Sequence, residues 1–122
     1  MIVGIGTDLV EVGRIRKALE NGRFLEKYFS AEEREFLCTK KDAAPGAANN
    51  FAAKEAFSKA LGTGVRGFAL CEVAVLRDAL GKPYIRLSGK AAAAAQACGA
   101  KRIHVSLTNT EAYASAFVVL EG

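Results

Sequence analysis

The sequence predicts an α+β fold, a small antiparallel sheet with helices on one side. Three observations carry this. An alternating run opens the chain at Ile2–Leu9, two more close it at Arg102–Thr108 and Ala112–Glu121, and a proline-free helical stretch, Phe51–Leu61, lies between. The short turn Asn109-Thr110-Glu111 makes the closing pair neighbours. At 122 residues the chain reads as one domain, 1–122, able to bury roughly two-thirds of the surface it exposes when unfolded.

In the first strand Val3, Ile5 and Leu9 point one way with Thr7 among them, and Gly4, Gly6 and Asp8 point the other. A face of two glycines and an aspartate cannot pack side chains. It leaves bare backbone for another element or a ligand to approach, and Asp8 is also placed to cap the next helix. That helix, Glu11–Leu19, turns Val12, Ile15 and Leu19 inward and Arg14, Arg16 and Lys17 outward, and Asn21-Gly22 ends it. Arg23–Phe29 is a short segment carrying Phe24, Leu25, Tyr28 and Phe29. Ser30-Ala-Glu-Glu33 is a capping box opening a helix that ends near Thr39. Lys40–Ala48, with Pro45-Gly46, reads as the least structured stretch, a mobile loop.

The stretch Phe51–Leu61 is built of good helix formers and stops at Gly62-Thr63-Gly64. At about 100° per residue, Ala53, Ala56, Phe57, Ala60 and Leu61 form a buried arc. Lys54, Glu55, Ser58 and Lys59 fall on the other arc, with Phe51 among them. Glu55 and Lys59 stand one turn apart, as a surface ion pair would. A glycine-rich connection, Thr63–Phe68, leads to a hairpin of Cys71–Asp78 and Tyr84–Ser88 turning at Leu80-Gly-Lys-Pro83. Gly89–Cys98 is an alanine-rich helix stopped by Gly99. In the next strand Ile103, Val105 and Leu107 share one face, and Arg102, His104, Ser106 and Thr108 the other. The last strand carries Phe117 and Val119 on one face and Val118 and Leu120 on the other, which predicts burial on both sides.

A net charge of +4 and a pI near 9.1 suit an acidic partner or a phosphorylated ligand. Cys38, Cys71 and Cys98 are too scattered for a disulfide framework or a zinc site, which points to a reducing, cytoplasmic setting. With a single histidine, a metal site would be built from carboxylates, and that favours a hard cation such as Mg²⁺. Asp8 interrupts the N-terminus before a signal peptide's apolar region could form, and no apolar run reaches membrane-spanning length, so no membrane partner is expected. Exposed aromatics interleaved with basic residues, the mark of single-strand binding, are missing, so no nucleic acid is expected either. A basic, non-enzymatic RNA-binding module stands as the rival class.

Three stretches resemble one known family: Gly4-Ile-Gly-Thr-Asp-Leu-Val-Glu-Val-Gly-Arg-Ile15, Phe51-Ala-Ala-Lys-Glu-Ala-Phe-Ser-Lys-Ala-Leu-Gly-Thr-Gly64 and His104-Val-Ser-Leu-Thr-Asn-Thr-Glu-Ala-Tyr-Ala114. They are similar to the motifs of the holo-[acyl-carrier-protein] synthases, short bacterial 4′-phosphopantetheinyl transferases, and the likeness spans essentially the whole chain. The resemblance implies that 4′-phosphopantetheine passes from coenzyme A to a serine of apo acyl carrier protein, with Mg²⁺ as cofactor and adenosine 3′,5′-bisphosphate as product. Asp8 and Glu55 match the family's metal ligands, and Lys59 is placed to contact the pyrophosphate. A metal-held water or Glu55 itself takes the serine proton. Gly62, Thr63 and Gly64 offer amides and a hydroxyl to phosphate or pantetheine, and His104 and Ser106 match nucleotide-contacting positions. Arg14 matches a position that meets the carrier protein, and Arg16, Lys17 and Arg23 extend that patch. The family forms homotrimers with interface active sites, and the single-unit length implies self-association here. Two positions depart from the pattern. Asn50 and Asn109 stand where the family usually has arginine and commonly has histidine, which implies weaker coenzyme A binding or a degenerate, non-catalytic relative.

Overall fold

A computed structural model describes residues 1–122. The chain opens with strand β1 (Ile2–Glu11), then three short helices, α1 (Val12–Ala18), α2 (Arg23–Tyr28) and α3 (Ala31–Cys38). The long helix α4 (Ala44–Leu61) follows, then a 3₁₀ turn (Leu70–Glu72) and the hairpin strands β2 (Val73–Arg77) and β3 (Pro83–Leu87). Helix α5 (Gly89–Ala97) and strands β4 (Arg102–Asn109) and β5 (Tyr113–Glu121) complete it. The α+β expectation holds, with one refinement. Strands β1, β5 and β4 form a three-stranded antiparallel sheet with β5 in the middle, and β2–β3 is a separate two-stranded sheet.

Everything is organised around α4, which lies across one face of the larger sheet. A Cβ built on Gly4 would overlap the Ala60 carbonyl oxygen, and one on Gly6 the Ala56 carbonyl oxygen, so the glycines let helix backbone touch strand backbone. The C-terminal half of α4 joins Val73, Val75, Ala91, Ala95, Val118 and Leu120 in one core. Its N-terminal half joins Val12, Ile15, Phe29, Leu37 and Ala114 in a second. Two cores share one helix.

Four expectations need correction. Residues 44–48 are helix, not loop, because Pro45 sits in the first turn, where its missing N–H costs nothing. Asp8 does not cap α1; β1 runs on to Glu11 and the Asp8 carboxylate bonds Lys59 instead. Lys54 and Ser58 are buried, not on an exposed arc: Glu33 of α3 and the Leu70 and Val73 carbonyls close over the Lys54 ammonium, and the Ser58 hydroxyl donates to the Lys54 carbonyl. The last strand buries only one face within this chain: Val118 and Leu120 are inaccessible, whereas Phe117 is 48% exposed on the face that α4 leaves open. The Ser30–Glu33 capping box forms as expected, and the αL glycine Gly62 closes α4.

Candidate active site

The site is set by the β1–α4 seam. Beyond Gly4 and Gly6 the same face of β1 presents Asp8, and the same stretch of α4 presents Glu55 and Lys59. Lys59 Nζ donates to Asp8 Oδ1 at 3.0 Å. The Asp8 side chain is 16% exposed and that of Lys59 56%, so the carboxylate lies at the floor and the ammonium at the rim. Asp8 and Glu55 line one groove of about 320 Å³ with Arg14 and Ile15 of α1, Phe24 of α2 and Phe51 of α4. Burial pushes the Glu55 pKa up and the charge of Asp8 pushes it further, while Lys59 pulls it back. Two carboxylates thus line one groove, and the ammonium beside them is bonded to Asp8.

Glu55 also lines a second groove, of about 400 Å³, with Lys27, Tyr28 and Phe51 on one side and Val65, Phe68, Ala69 and Leu70 on the other. The two grooves meet at Phe51 and Glu55. Their aromatic wall is one cluster, with Phe24–Phe51 and Tyr28–Phe51 ring centroids 5.9 and 6.0 Å apart. Arg23 borders an adjoining hollow with Phe24, Lys27 and Tyr28, so Arg14, Arg23 and Lys27 form a basic rim over these rings. Phe51, on the polar arc four residues before Glu55, was the sequence signal for this wall.

The structure brings together Asp8, Glu55, Lys59 and Arg14, but not all the predicted residues. His104 stands opposite Val119, which pairs with Ile5; Ser106 stands opposite Phe117, which pairs with Thr7. Both therefore lie on the open face of the sheet, opposite to Asp8, which pairs with Ala116 on the α4 side. His104 is engaged with Glu121 at 2.9 Å, and this hydrogen bond holds the Glu121 pKa below the usual carboxylate range. Lys59 links the two faces: it also lines a shallow hollow with Thr7 and Phe117 at the β1 edge. Gly62, Thr63 and Gly64 lie just past the end of α4, with Val65 the next residue reaching the Glu55 groove.

Asn50 is not a surface position. It is 1% exposed and its amide is fully engaged: Nδ2 donates to Glu33 Oε2 (3.0 Å) and to the Val75 carbonyl (3.2 Å), and Oδ1 accepts from Arg77 (3.2 Å). Asn50 is thus a hydrogen-bonded core residue of this chain. Asn109 Oδ1 accepts one long bond from Asn49 Nδ2, at 3.5 Å, and Asn49 Oδ1 is left unpartnered. Sequence reasoning also missed an ion pair. Lys54 Nζ meets Glu33 Oε1 at 2.6 Å with both side chains wholly buried. Burial pushes the Lys54 pKa down, against the pull of Glu33. No local pattern marks this pair, because its partners are 21 residues apart.

Asp8 and Glu55, two carboxylates in one groove, offer only oxygen ligands, which suits a hard divalent cation completed by water and phosphate oxygens. The family model of the 4′-phosphopantetheinyl transferase superfamily matches residues 4–118. The holo-[acyl-carrier-protein] synthase of Treponema denticola is 47% identical over 123 residues, covering 100% of both chains. Among solved structures, the holo-[acyl-carrier-protein] synthase of Neisseria meningitidis superposes with a TM-score of 0.93 at 34% identity, covering 100% of both chains. That of Bacillus anthracis, in complex with CoA (3′,5′-ADP), does so at 0.85 and 35% identity, covering 99% of this chain and 97% of the other. The fold, the length and the three motifs thus agree with one another, and the chain belongs to the 4′-phosphopantetheinyl transferase superfamily, among its holo-[acyl-carrier-protein] synthases.

Proposed function

We propose that the chain, acting as one domain over 1–122, transfers 4′-phosphopantetheine from coenzyme A to a serine of apo acyl carrier protein. The observation that carries this is the seam itself: Asp8 and Glu55 in one groove with Lys59 Nζ 3.0 Å from Asp8. Asp8 and Glu55 would hold Mg²⁺, which supplies charge neutralisation to the coenzyme A pyrophosphate. The serine Oγ attacks the β-phosphorus, the bond from that phosphorus to the bridging oxygen breaks, and adenosine 3′,5′-bisphosphate leaves with the bridging oxygen. Lys59 offsets the charge that develops on the leaving phosphate. Glu55, or a water held in the groove, takes the serine proton. Arg14 and Arg23 on the basic rim meet the acidic surface of the carrier protein, and Gly62, Thr63 and Gly64 contact the coenzyme A.

His104 and Ser106 join this site only from another copy, since within one chain they face away from Asp8. The open sheet face, with Ile5, Leu9 and Phe117 exposed, supports a homotrimer in which a neighbour's His104 and Ser106 complete the nucleotide pocket. No helix is long and apolar enough to cross a membrane, and the reaction is assigned to the cytoplasm.

The test is to mix the protein with coenzyme A, apo acyl carrier protein and Mg²⁺, and to weigh the carrier by mass spectrometry. A metal-dependent gain of one phosphopantetheine is expected, and loss of the gain in Asp8→Ala and Glu55→Ala. Coenzyme A binding without transfer would mark a degenerate relative. RNA binding without either would favour the non-enzymatic module.

A further inference from the structure

Lys54 precedes Glu55 in the chain, yet its ammonium points into the protein. Its three N–H groups are all committed: to Glu33 Oε1 at 2.6 Å, to the Leu70 carbonyl at 3.0 Å and to the Val73 carbonyl. Glu33 alone would neutralise the charge. The two carbonyls add something else, a fixed distance between α4 and the backbone of the segment that follows it.

That segment forms a wall of the groove beside Glu55. Val65, Phe68, Ala69 and Leu70 face Phe51 and Tyr28 across it. From Gly62 to Ala69 the chain has neither helix nor strand, and Gly62, Gly64 and Gly67 take φ of 84°, 68° and 79°. With no ladder to hold it, the wall is fixed by Phe68, packed against Phe57 with ring centroids 6.0 Å apart, and by the Lys54 bonds to Leu70 and Val73. The groove's lining is apolar apart from Lys27, Tyr28 and Glu55. Such a lining suits the methyl and methylene groups of a pantetheine arm and not the phosphates of a nucleotide.

We propose that Lys54 is a positioning residue: by holding the Leu70 and Val73 carbonyls against α4, it sets the width of the groove that receives the pantetheine arm. The assignment rests on the coenzyme A reading above. Glu33 serves as the counter-charge, and the carbonyl bonds carry the function.

The experiment compares Glu33→Gln with the double variant Lys54→Met/Glu33→Gln. Both keep side-chain volume; the double leaves no unpaired buried charge, whereas Glu33→Gln leaves the Lys54 ammonium without its counter-charge and lowers stability, so the comparison is made on protein shown to be folded by circular dichroism. In the double variant, KM for coenzyme A should rise about tenfold while the affinity for adenosine 3′,5′-bisphosphate, which lacks the arm, stays within about twofold. Amide hydrogen exchange should accelerate over residues 62–72 and not in β5. Folded Glu33→Gln, which keeps Lys54 on its carbonyls, should match the wild type in KM for coenzyme A. Equal weakening of coenzyme A and the bisphosphate, or an unchanged KM in a folded double variant, would overturn the assignment. Should the wild-type protein neither bind coenzyme A nor transfer its arm, the functional reading falls first. The anchor is then judged by exchange alone, and unchanged exchange over 62–72 overturns it.

Discussion

Lys59 Nζ lies 3.0 Å from Asp8 Oδ1, so an exposed ammonium on α4 is paired with the nearly buried carboxylate of β1. This positions it for the leaving phosphate and also makes it a competitor for any cation in the groove. Lys59→Met should therefore lower kcat about a hundredfold while leaving the apparent Mg²⁺ affinity unchanged or tighter. Steady-state kinetics across a Mg²⁺ titration separates the two effects. A loss of Mg²⁺ affinity would show that Lys59 acts through the metal site and not on the phosphate.

Glu55 carries a pKa raised above its ordinary 4.5, by burial first and by the Asp8 charge second. A carboxyl whose pKa is higher folded than unfolded binds more protons when folded. Its ionisation therefore costs stability, beginning near pH 4.5 and complete above the folded pKa. Glu55→Gln should stabilise the apo protein at neutral pH, by less than about 1 kcal/mol given the partial solvent screening. The gain should vanish at pH 4. Melting curves at the two pH values decide it, and equal gains at both would refute the coupling.

Gly6 has no room for a methyl group, since a Cβ there would meet the Ala56 carbonyl and the Ala60 amide. Gly6→Ala must push α4 off β1, costing about 1–3 kcal/mol and separating Glu55 and Lys59 from Asp8. Activity should fall further than the folded fraction does. Gly13→Ala, where the added methyl meets nothing, is the control and should change neither.

Asn50→Arg, which the family pattern would present as a repair, should harm the protein. The residue is buried against Glu33, Val75 and Arg77, and a second guanidinium there has neither space nor a free partner. The expected outcome is a lower melting temperature, by several degrees, with no gain in coenzyme A affinity. Tighter binding at unchanged stability would instead show that Asn50 itself weakens coenzyme A binding.

Arg14 shares its groove with Asp8 and Glu55 but remains exposed. Arg14→Glu should raise KM for the carrier protein about tenfold at low salt, with little change for coenzyme A, and the difference should shrink as salt is added. A salt-independent defect would argue against electrostatic docking.

The seam itself was legible in the sequence. Two glycines and an aspartate on one strand face announce a close approach by another element or a ligand, and the family resemblance, not the residue spacing, joins Asp8 to Glu55. Three features were not legible, for separate physical reasons. Helical periodicity marks a polar arc as solvent, so Lys54 was misplaced, because its burial depends on Glu33 from another helix. Pro45-Gly46 reads as a break, although a proline in a first turn starts a helix as readily as it ends one. Alternation also assigns faces strand by strand. Only the β1–β5–β4 register reveals that His104 and Ser106 face away from Asp8.

The paired contacts of Gly4 with Ala60 and Gly6 with Ala56 also act as a vernier. Two strand residues advance about 6.6 Å and four helix residues about 6.0 Å, so the two scales nearly coincide and run in opposite directions. The next graduation sets Asp8 against the turn of α4 that begins at Ala52 and holds Glu55. A slip by one residue would bring Ile5 or Thr7 beneath a helix carbonyl, where no Cβ fits. The alignment of the two carboxylates is therefore fixed by main-chain spacing, before any side chain chooses a rotamer.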